Sequence, residues 1–492
     1  MSDTNATTVV ERRLERIVVD GTNPTTPFPH FWERAYGSCH ASVTVSEAWV
    51  DDLKLLKQIV DVEYIRFHGI LDDHTGLYVG EDANGGLLLN FTRIDQIYDG
   101  LIENGVRPIV ELSFMPKQMG DNVHGAIHGF WYHPCVAPPK EPARWYELIF
   151  RFTQHLVERY GIDEVSHWLF EVWNEPNIDF LAGEGTRKQE AYFMMYDLAS
   201  RAVKKVDSRL QVGGPATAQT QWIAEFIQHC HAGHVPLDFI STHVYPCDEP
   251  KDVFGADITV SQKDLVPLAV RKVFDQVRAS ALPNLPIIFS EFNSGFDGKS
   301  QTDSPYTGPW LANVIRLSAG LVDLMSWWTF TDDYFEEGGP FQSPFQGGFG
   351  LIATGSIPKA PFNAFKLLHR LGYERLPLET ENALATRQKN GSIVLALWNY
   401  VPAKESGSPI TFDLELANVQ ASLAVVSVVD AEHGNPLKVW EEMGRPPFPT
   451  PTQQHQLRLA GQLPPATVMA VVDGKLSITA APDALVLVEF LG

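Results

Sequence analysis

The chain has 492 residues, room for one barrel of about 250 residues or more and a smaller domain. With 44% hydrophobic and 20% charged residues it has an ordinary globular balance, which excludes a disordered chain. Asp and Glu outnumber Lys and Arg by 60 to 38, a net charge of −22 that argues against nucleic acid or an anionic membrane as partner and makes a polyanionic substrate unattractive.

Residues 8–19 (TVVERRLERIVV) read as one or two strands that pair with a later domain. Residues 31–39 lead into a first barrel strand, and 49–60 have helical spacing. From there the pattern alternates. Strands are predicted at 64–69, 107–114, 168–173, 210–213, 239–245, 287–293 and 324–330. Helices are predicted at 94–104, 145–159, 189–206, 222–230, 265–280, 310–320 and 362–371. Eight strands alternating with helices predict an α/β fold, a parallel (β/α)8 TIM barrel with right-handed crossovers. A doubly wound open sheet is the competing arrangement, but no GxGxxG or GxxxxGK[ST] loop follows an early strand. After about residue 374 the texture changes to short strands between turn residues, at 392–398, 410–414, 423–429, 468–472, 476–479 and 485–491. This predicts a C-terminal β-sandwich, with the proline-rich run 446–451 as a loop. The expected organisation is N-terminal strands at 1–22 packing with the sandwich, a catalytic barrel at 23–373 and the sandwich at 374–492.

Cys39, Cys135, Cys230 and Cys247 form no CxxC pair and no zinc-type spacing, so they are expected to be reduced and structural. Residues 1–8 are polar, and no run approaches the roughly 18 apolar residues that a membrane span needs. The expectation is a cytoplasmic protein with no membrane segment.

The most informative stretch is His167-Trp168-Leu169-Phe170-Glu171-Val172-Trp173-Asn174-Glu175-Pro176-Asn177. It begins as an apolar strand and stops on Asn-Glu-Pro-Asn. Proline disfavours a helical conformation in the residue before it, so Glu175 is expected to be extended, at the end of the fourth strand. Barrel chemistry sits at the C-terminal strand ends. A lone glutamate there could equally be structural. Glu291, near the end of the seventh strand and before Asn293-Ser294-Gly295, supplies a second carboxylate in the same cup. Two facing carboxylates are the minimal kit for glycoside hydrolysis: one protonates the leaving oxygen, while the other attacks the anomeric carbon or activates water. The chain's 12 Trp and 28 Phe suit a pocket that stacks on sugar rings.

Trp-Asn-Glu-Pro-Asn after the fourth strand and Ser-Glu-Phe-Asn after the seventh resemble the 4/7 superfamily of retaining glycosidases. Residues 31–39, 64–69 and His243-Val244-Tyr245-Pro246 narrow the resemblance, over roughly residues 10–490, to glycoside hydrolase family 39, which contains β-xylosidases and α-L-iduronidases. The resemblance implies that Glu175 is the general acid/base and Glu291 the nucleophile. It also implies that Asn174 bonds the sugar 2-hydroxyl, and that Glu336 and Glu337 reach the glycone hydroxyls from the loop after the eighth strand.

Other residues are read beside it. Arg66 and His68 lie on an apolar strand, where a charge must be paired or must serve a site. Arg66 is expected either to hold the nucleophile ionised or to form a plain buried ion pair. His243 and Tyr245 share one strand face. Tyr245 is expected to bond Glu291, and His243 either to reach sugar hydroxyls or to be a satisfied core histidine. Phe114 is expected to wall the sugar pocket or to pack in the core. His124, His128, Trp131, Tyr132 and His133 are expected at its rim. An acidic pocket favours a neutral pentose over a uronic acid. The implied activity is that of a retaining exo-glycosidase, a β-D-xylosidase acting on small xylo-oligosaccharides without cofactor or metal, with homo-oligomers open. The alternatives are an α-L-iduronidase or α-L-arabinosidase of the same family, or a sugar-binding barrel without catalysis.

Overall fold

The computed structural model describes residues 13–296, 300–334, 336 and 343–492. Eight parallel strands close a barrel: β1 (Ala35–His40), β2 (Tyr64–His68), β3 (Arg107–Glu111), β4 (Leu169–Glu171), β5 (Gln211–Thr217), β6 (Phe239–Val244), β7 (Ile287–Phe292) and β8 (Leu324–Trp327). Each pairs with the next in sequence, and β8 returns to β1. The helices Glu47–Leu56, Thr92–Glu103, Pro142–Tyr160, Gly185–Val206, Ile223–Ala232 and Gln262–Arg278 fall between these strands in the chain.

The interior is layered, because side chains alternate along a strand. Ala35, Ile109, Leu169, Phe239, Ile288 and Leu324 form an apolar plug with Tyr64 packed against it. Burying each large member of such a plug contributes roughly 1.5–3 kcal/mol. Two residues further along the same strands come Arg66, Glu111, Glu171 and Ser290, all fully buried. The sequence thus places a charged layer directly on an apolar one.

Three strands break the period of two, β1 at Cys39 and, nearer the two glutamates, β7 and β5. β7 carries one extra residue against both neighbours: Thr242 and His243 of β6 pair with Phe289 and Glu291, and Met325 and Trp327 of β8 pair with Phe289 and Phe292. The bulge re-aims the chain, so consecutive Ser290 and Glu291 both bond groups on the inner face. β5 likewise carries Ala216 as an extra residue, at a left-handed φ of 53°.

Residue contacts divide the chain into two compact units. The barrel unit comprises residues 31–299 and 318–356, and the other comprises residues up to 30, 300–317 and 357–492. In the second unit Arg13–Asp20 pairs in parallel with Ile410–Ala417, which also pairs with Lys475–Ala480. A seven-stranded sheet completes the sandwich. Ile17, Val19, Phe412, Leu414, Leu395, Val488 and Phe490 share its core.

Several expected bounds shift. β4 is only Leu169–Glu171, with one further bond to β5 from the Val172 N–H to the Gly213 carbonyl at 3.2 Å. The hairpin Tyr78–Glu81/Leu87–Leu89 and the strand Ala383–Arg387 were not anticipated. The proline-rich run is only partly loop. Pro451 opens the helix Pro451–Ala460, with Thr450 and Gln453 forming a reciprocal capping box. Proline is well suited to the first helical position, where its missing N–H costs nothing.

Candidate active site

The open C-terminal end of the barrel holds a cavity of 900 Å³ lined by His68, Asn174, Glu175, Tyr245, Glu291 and Glu336, with Phe180, Trp328 and Phe349 among its apolar walls. Glu175 is not extended as expected. Its φ is 41°, and that of Trp173 is 72°. Left-handed backbone at non-glycine residues is costly and persists where the surroundings over-determine it. The loop is pinned in three places. The Glu175 N–H donates to the Ala216 carbonyl at 2.8 Å. The Asn177 amide donates to the Ala218 carbonyl and accepts the Ala218 N–H. The Trp173 indole N–H donates to the Phe180 carbonyl at 2.6 Å.

Glu175 and Glu291 face each other across His243. One oxygen of each carboxyl and one His243 nitrogen all lie within 4.8 Å of one another. That closeness suits a pair in which one carboxyl acts as nucleophile, where the two carboxyls lie roughly 5–5.5 Å apart.

The two carboxyls have different surroundings. Glu291 accepts from Arg66 Nη1 at 2.6 Å and from the Tyr245 hydroxyl at 2.9 Å. Burial raises its pKa, and Arg66 and the Tyr245 bond offset part of that rise. Glu175 meets His243 Nδ1 at 3.0 Å. Burial and then the charge of Glu291 push its pKa well above the usual carboxylate range. Both carboxyls are raised, Glu175 further than Glu291, whose arginine and tyrosine partners favour its charged form.

Arg66 is fully buried and touches three carboxylates, Glu111, Glu171 and Glu291, each at 2.6 Å. Burial opposes its charge, and the three acids outweigh that, so its pKa rises above the ordinary value. Its Nη2 also donates to Asn174 Oδ1 at 2.9 Å. This fixes the Asn174 amide with the NH2 group as its donor end. His68 bonds Glu111 through Nδ1 at 2.7 Å and approaches Glu336 through Nε2 at 3.2 Å. Burial lowers its pKa to about 3, so the ring is neutral.

The sequence readings of Arg66 and Tyr245 as partners of Glu291 match these contacts. Two readings left open between pocket and core fall on the core side. His243 is fully buried with both nitrogens engaged, Nδ1 by Glu175 and Nε2 by Ser290. It therefore lies beneath the cavity, as a satisfied core histidine would, and is not part of its lining. Phe114 lies behind the wall, stacked on Phe180 and edge-on to Trp173. Of the long loop after β3, His128 and Phe130 line the cavity. Trp131 and Tyr132 pack on His40, while His124 and His133 are exposed away from it. Glu336 lines the cavity. Glu337 lies outside the described residues.

Sequence reasoning missed Glu111, Glu171, Ser290, Phe180 and Trp328 as site residues. The rule applied to Arg66, a charge in an apolar barrel strand, would also have found Glu111 and Glu171. His40, Asp72 and His74 gather outside the cavity with ligand-type atoms within 4.8 Å. The Ser42 N–H donates to His40 Nδ1 at 3.1 Å, which leaves Nε2 as the N–H facing Asp72 at 2.8 Å. A protonated nitrogen offers no lone pair to a metal. Among the described residues no helix is long and apolar enough to cross a membrane.

A closed (β/α)8 barrel with the half-buried Glu175 just past its fourth strand and the buried Glu291 on its seventh defines a glycoside hydrolase. More narrowly, the chain belongs to glycosyl hydrolases family 39, whose family model matches residues 15–475. It is 36% identical over 470 residues to a β-xylosidase of Caldicellulosiruptor saccharolyticus, covering 92% of each chain. It is 36% identical over 437 residues to one of Geobacillus stearothermophilus, covering 86% of this chain and 84% of that protein. A solved structure described as a monomeric β-xylosidase from Caulobacter crescentus superposes with a TM-score of 0.86 at 30% identity, covering 96% of this chain and 99% of that one.

Proposed function

We propose that the protein is a retaining exo-β-D-xylosidase that releases xylose from the non-reducing ends of xylo-oligosaccharides. The observation that carries this reading is the close, unequal pair Glu175 and Glu291. In the first step the Glu291 carboxylate attacks the anomeric carbon while Glu175 gives its proton to the departing oxygen. In the second, Glu175 takes a proton from water, which displaces Glu291. The Asn174 amide is oriented to donate to the sugar 2-hydroxyl. His68 and Glu336 offer polar contacts to the remaining hydroxyls.

The charge of the pocket favours a pentose. Asp179, Asp248 and Glu336 line it together with the catalytic pair. Among the described lining residues Lys188 is the one Lys or Arg, and its ammonium donates to the Ile178 carbonyl. A uronic carboxylate would meet acids there. The two relatives named β-xylosidase support the same choice.

Azide rescue tests both roles. Aryl β-D-xyloside is supplied to wild type, Glu175→Ala and Glu291→Ala with azide present. The expected products are a β-xylosyl azide from Glu175→Ala and an α-xylosyl azide from Glu291→Ala. If wild type cleaves only an aryl α-L-iduronide, the substrate assignment falls; if no glycoside is cleaved, catalysis falls with it.

A further inference from the structure

We propose that Glu171 and Ser290 are positioning residues that lock His243 in its Nε2–H tautomer, so that the Nδ1 lone pair is satisfied only by a proton on Glu175. The inference rests on the acid role given to Glu175 above.

It follows from counting protons along one chain of contacts. Glu171 is fully buried and paired through one oxygen with Arg66 Nε. Its other oxygen accepts the Ser290 hydroxyl. A serine has one proton to give. With that proton on Glu171, Ser290 Oγ meets His243 Nε2, 3.1 Å away, as an acceptor. The imidazole proton therefore sits on Nε2. The ring carries no second one, since burial and then the charge of Arg66 hold it neutral. Nδ1 is left as a lone pair 3.0 Å from Glu175 Oε1. Opposite a carboxylate it repels; opposite a carboxylic acid it accepts a hydrogen bond.

The relay thus favours the protonated acid before glycosyl transfer. It also makes the same group a stronger base afterwards, when it must take a proton from water. The β7 bulge allows this, because it gives consecutive Ser290 and Glu291 to opposite ends of the machinery. Glu171 serves both ends, with one oxygen acting on Glu175 through Ser290 and His243, and the other on Glu291 through Arg66.

The test is the pH dependence of kcat/KM for Ser290→Ala. Freed from Ser290, the His243 ring can turn its proton to Nδ1 and donate to an ionised Glu175. The acid then ionises more easily, and the alkaline limb moves to lower pH by about one unit, the worth of one net hydrogen bond. The other charges facing Glu175, from Glu291, Asp248, Asp179 and Arg66, are unchanged. The acidic limb, set by Glu291 with Arg66 and Tyr245, stays in place. Ser290→Thr, which keeps the hydroxyl, restores the alkaline limb. A merely structural role for Ser290 would lower the rate without moving a limb, and that result overturns the proposal.

A second measurement needs neither turnover nor a variant of Ser290. In wild type labelled with 15N-histidine, with the His243 signals assigned against His243→Asn, the proton is expected on Nε2. A proton on Nδ1, or on both nitrogens, overturns the proposal even if the enzyme acts on some other glycoside.

Discussion

At the scale of the residue, the site is built from unequal treatment of like groups. Tyr245 is the clearest handle on Glu291, the proposed nucleophile. Its hydroxyl donates to Glu291 and stabilises the ionised form. Tyr245→Phe removes that bond, so Glu291 ionises at higher pH. Activity requires the ionised nucleophile, hence the acidic limb of kcat/KM is expected to move upward while the alkaline limb holds. A pH–rate profile on an aryl xyloside reads both limbs, and an unmoved acidic limb would separate Tyr245 from Glu291. Asp248, on the cavity wall, gives a stability prediction. Burial raises its carboxyl to about 7 from 3.8. Between those values the unfolded chain ionises and the folded one does not, so folding loses stability as pH rises from about 4 to 7. Asp248→Asn keeps an oxygen for the Tyr245 N–H and removes the titration. Melting temperatures across that range should fall less steeply in the variant than in wild type.

At the scale of the element, what was legible follows from what repeats. Strand and helix alternation exposed the barrel because eight units obey one rule. The inner face of a regular strand follows from its period of two: Tyr64, Arg66 and His68 share a face, and the same count places Ile109 with Glu111, which sequence reasoning passed over. The bulge in β7 was not legible. Counting by two from Ile288 reaches Ser290 and skips Glu291, and only the pairing with β6 and β8 reveals the extra residue. The conformation of Glu175 was missed for a similar reason. The proline after it sets a local preference toward extended backbone, and the bonds to residues 216–218 override that preference. The proline-rich stretch shows the reverse error, since Pro451 marks a helix start whose cap was present in the sequence as Thr450-Pro451-Thr452-Gln453. Thr450→Ala removes both the cap and one half of the capping box. The expected loss is about 1 kcal/mol, read as a lower denaturation midpoint with an unchanged slope against denaturant. A midpoint equal to wild type would mean that tertiary packing alone holds this helix.

At the scale of the whole molecule, the charge of −22 acts on what can approach the cavity. Asp179, an exposed acid on the cavity lining, adds a local field of the same sign. A neutral xylo-oligosaccharide feels neither. An oligosaccharide carrying a uronic acid on the leaving side is repelled over a Debye length of about 10 Å at 0.1 M salt and about 3 Å at 1 M. Raising the salt concentration should therefore lower KM for the acidic substrate and leave KM for xylobiose nearly unchanged. The repulsion acts on approach and on ground-state binding, so kcat should respond little for either. Initial rates for the two substrates between 0.05 and 1 M sodium chloride, a range chosen to span roughly a fourfold change in screening length, decide the matter. Equal salt responses would show that the acidic surface plays no part in selection. Specificity would then rest on the walls of the pocket alone, on Phe180, Trp328 and Phe349.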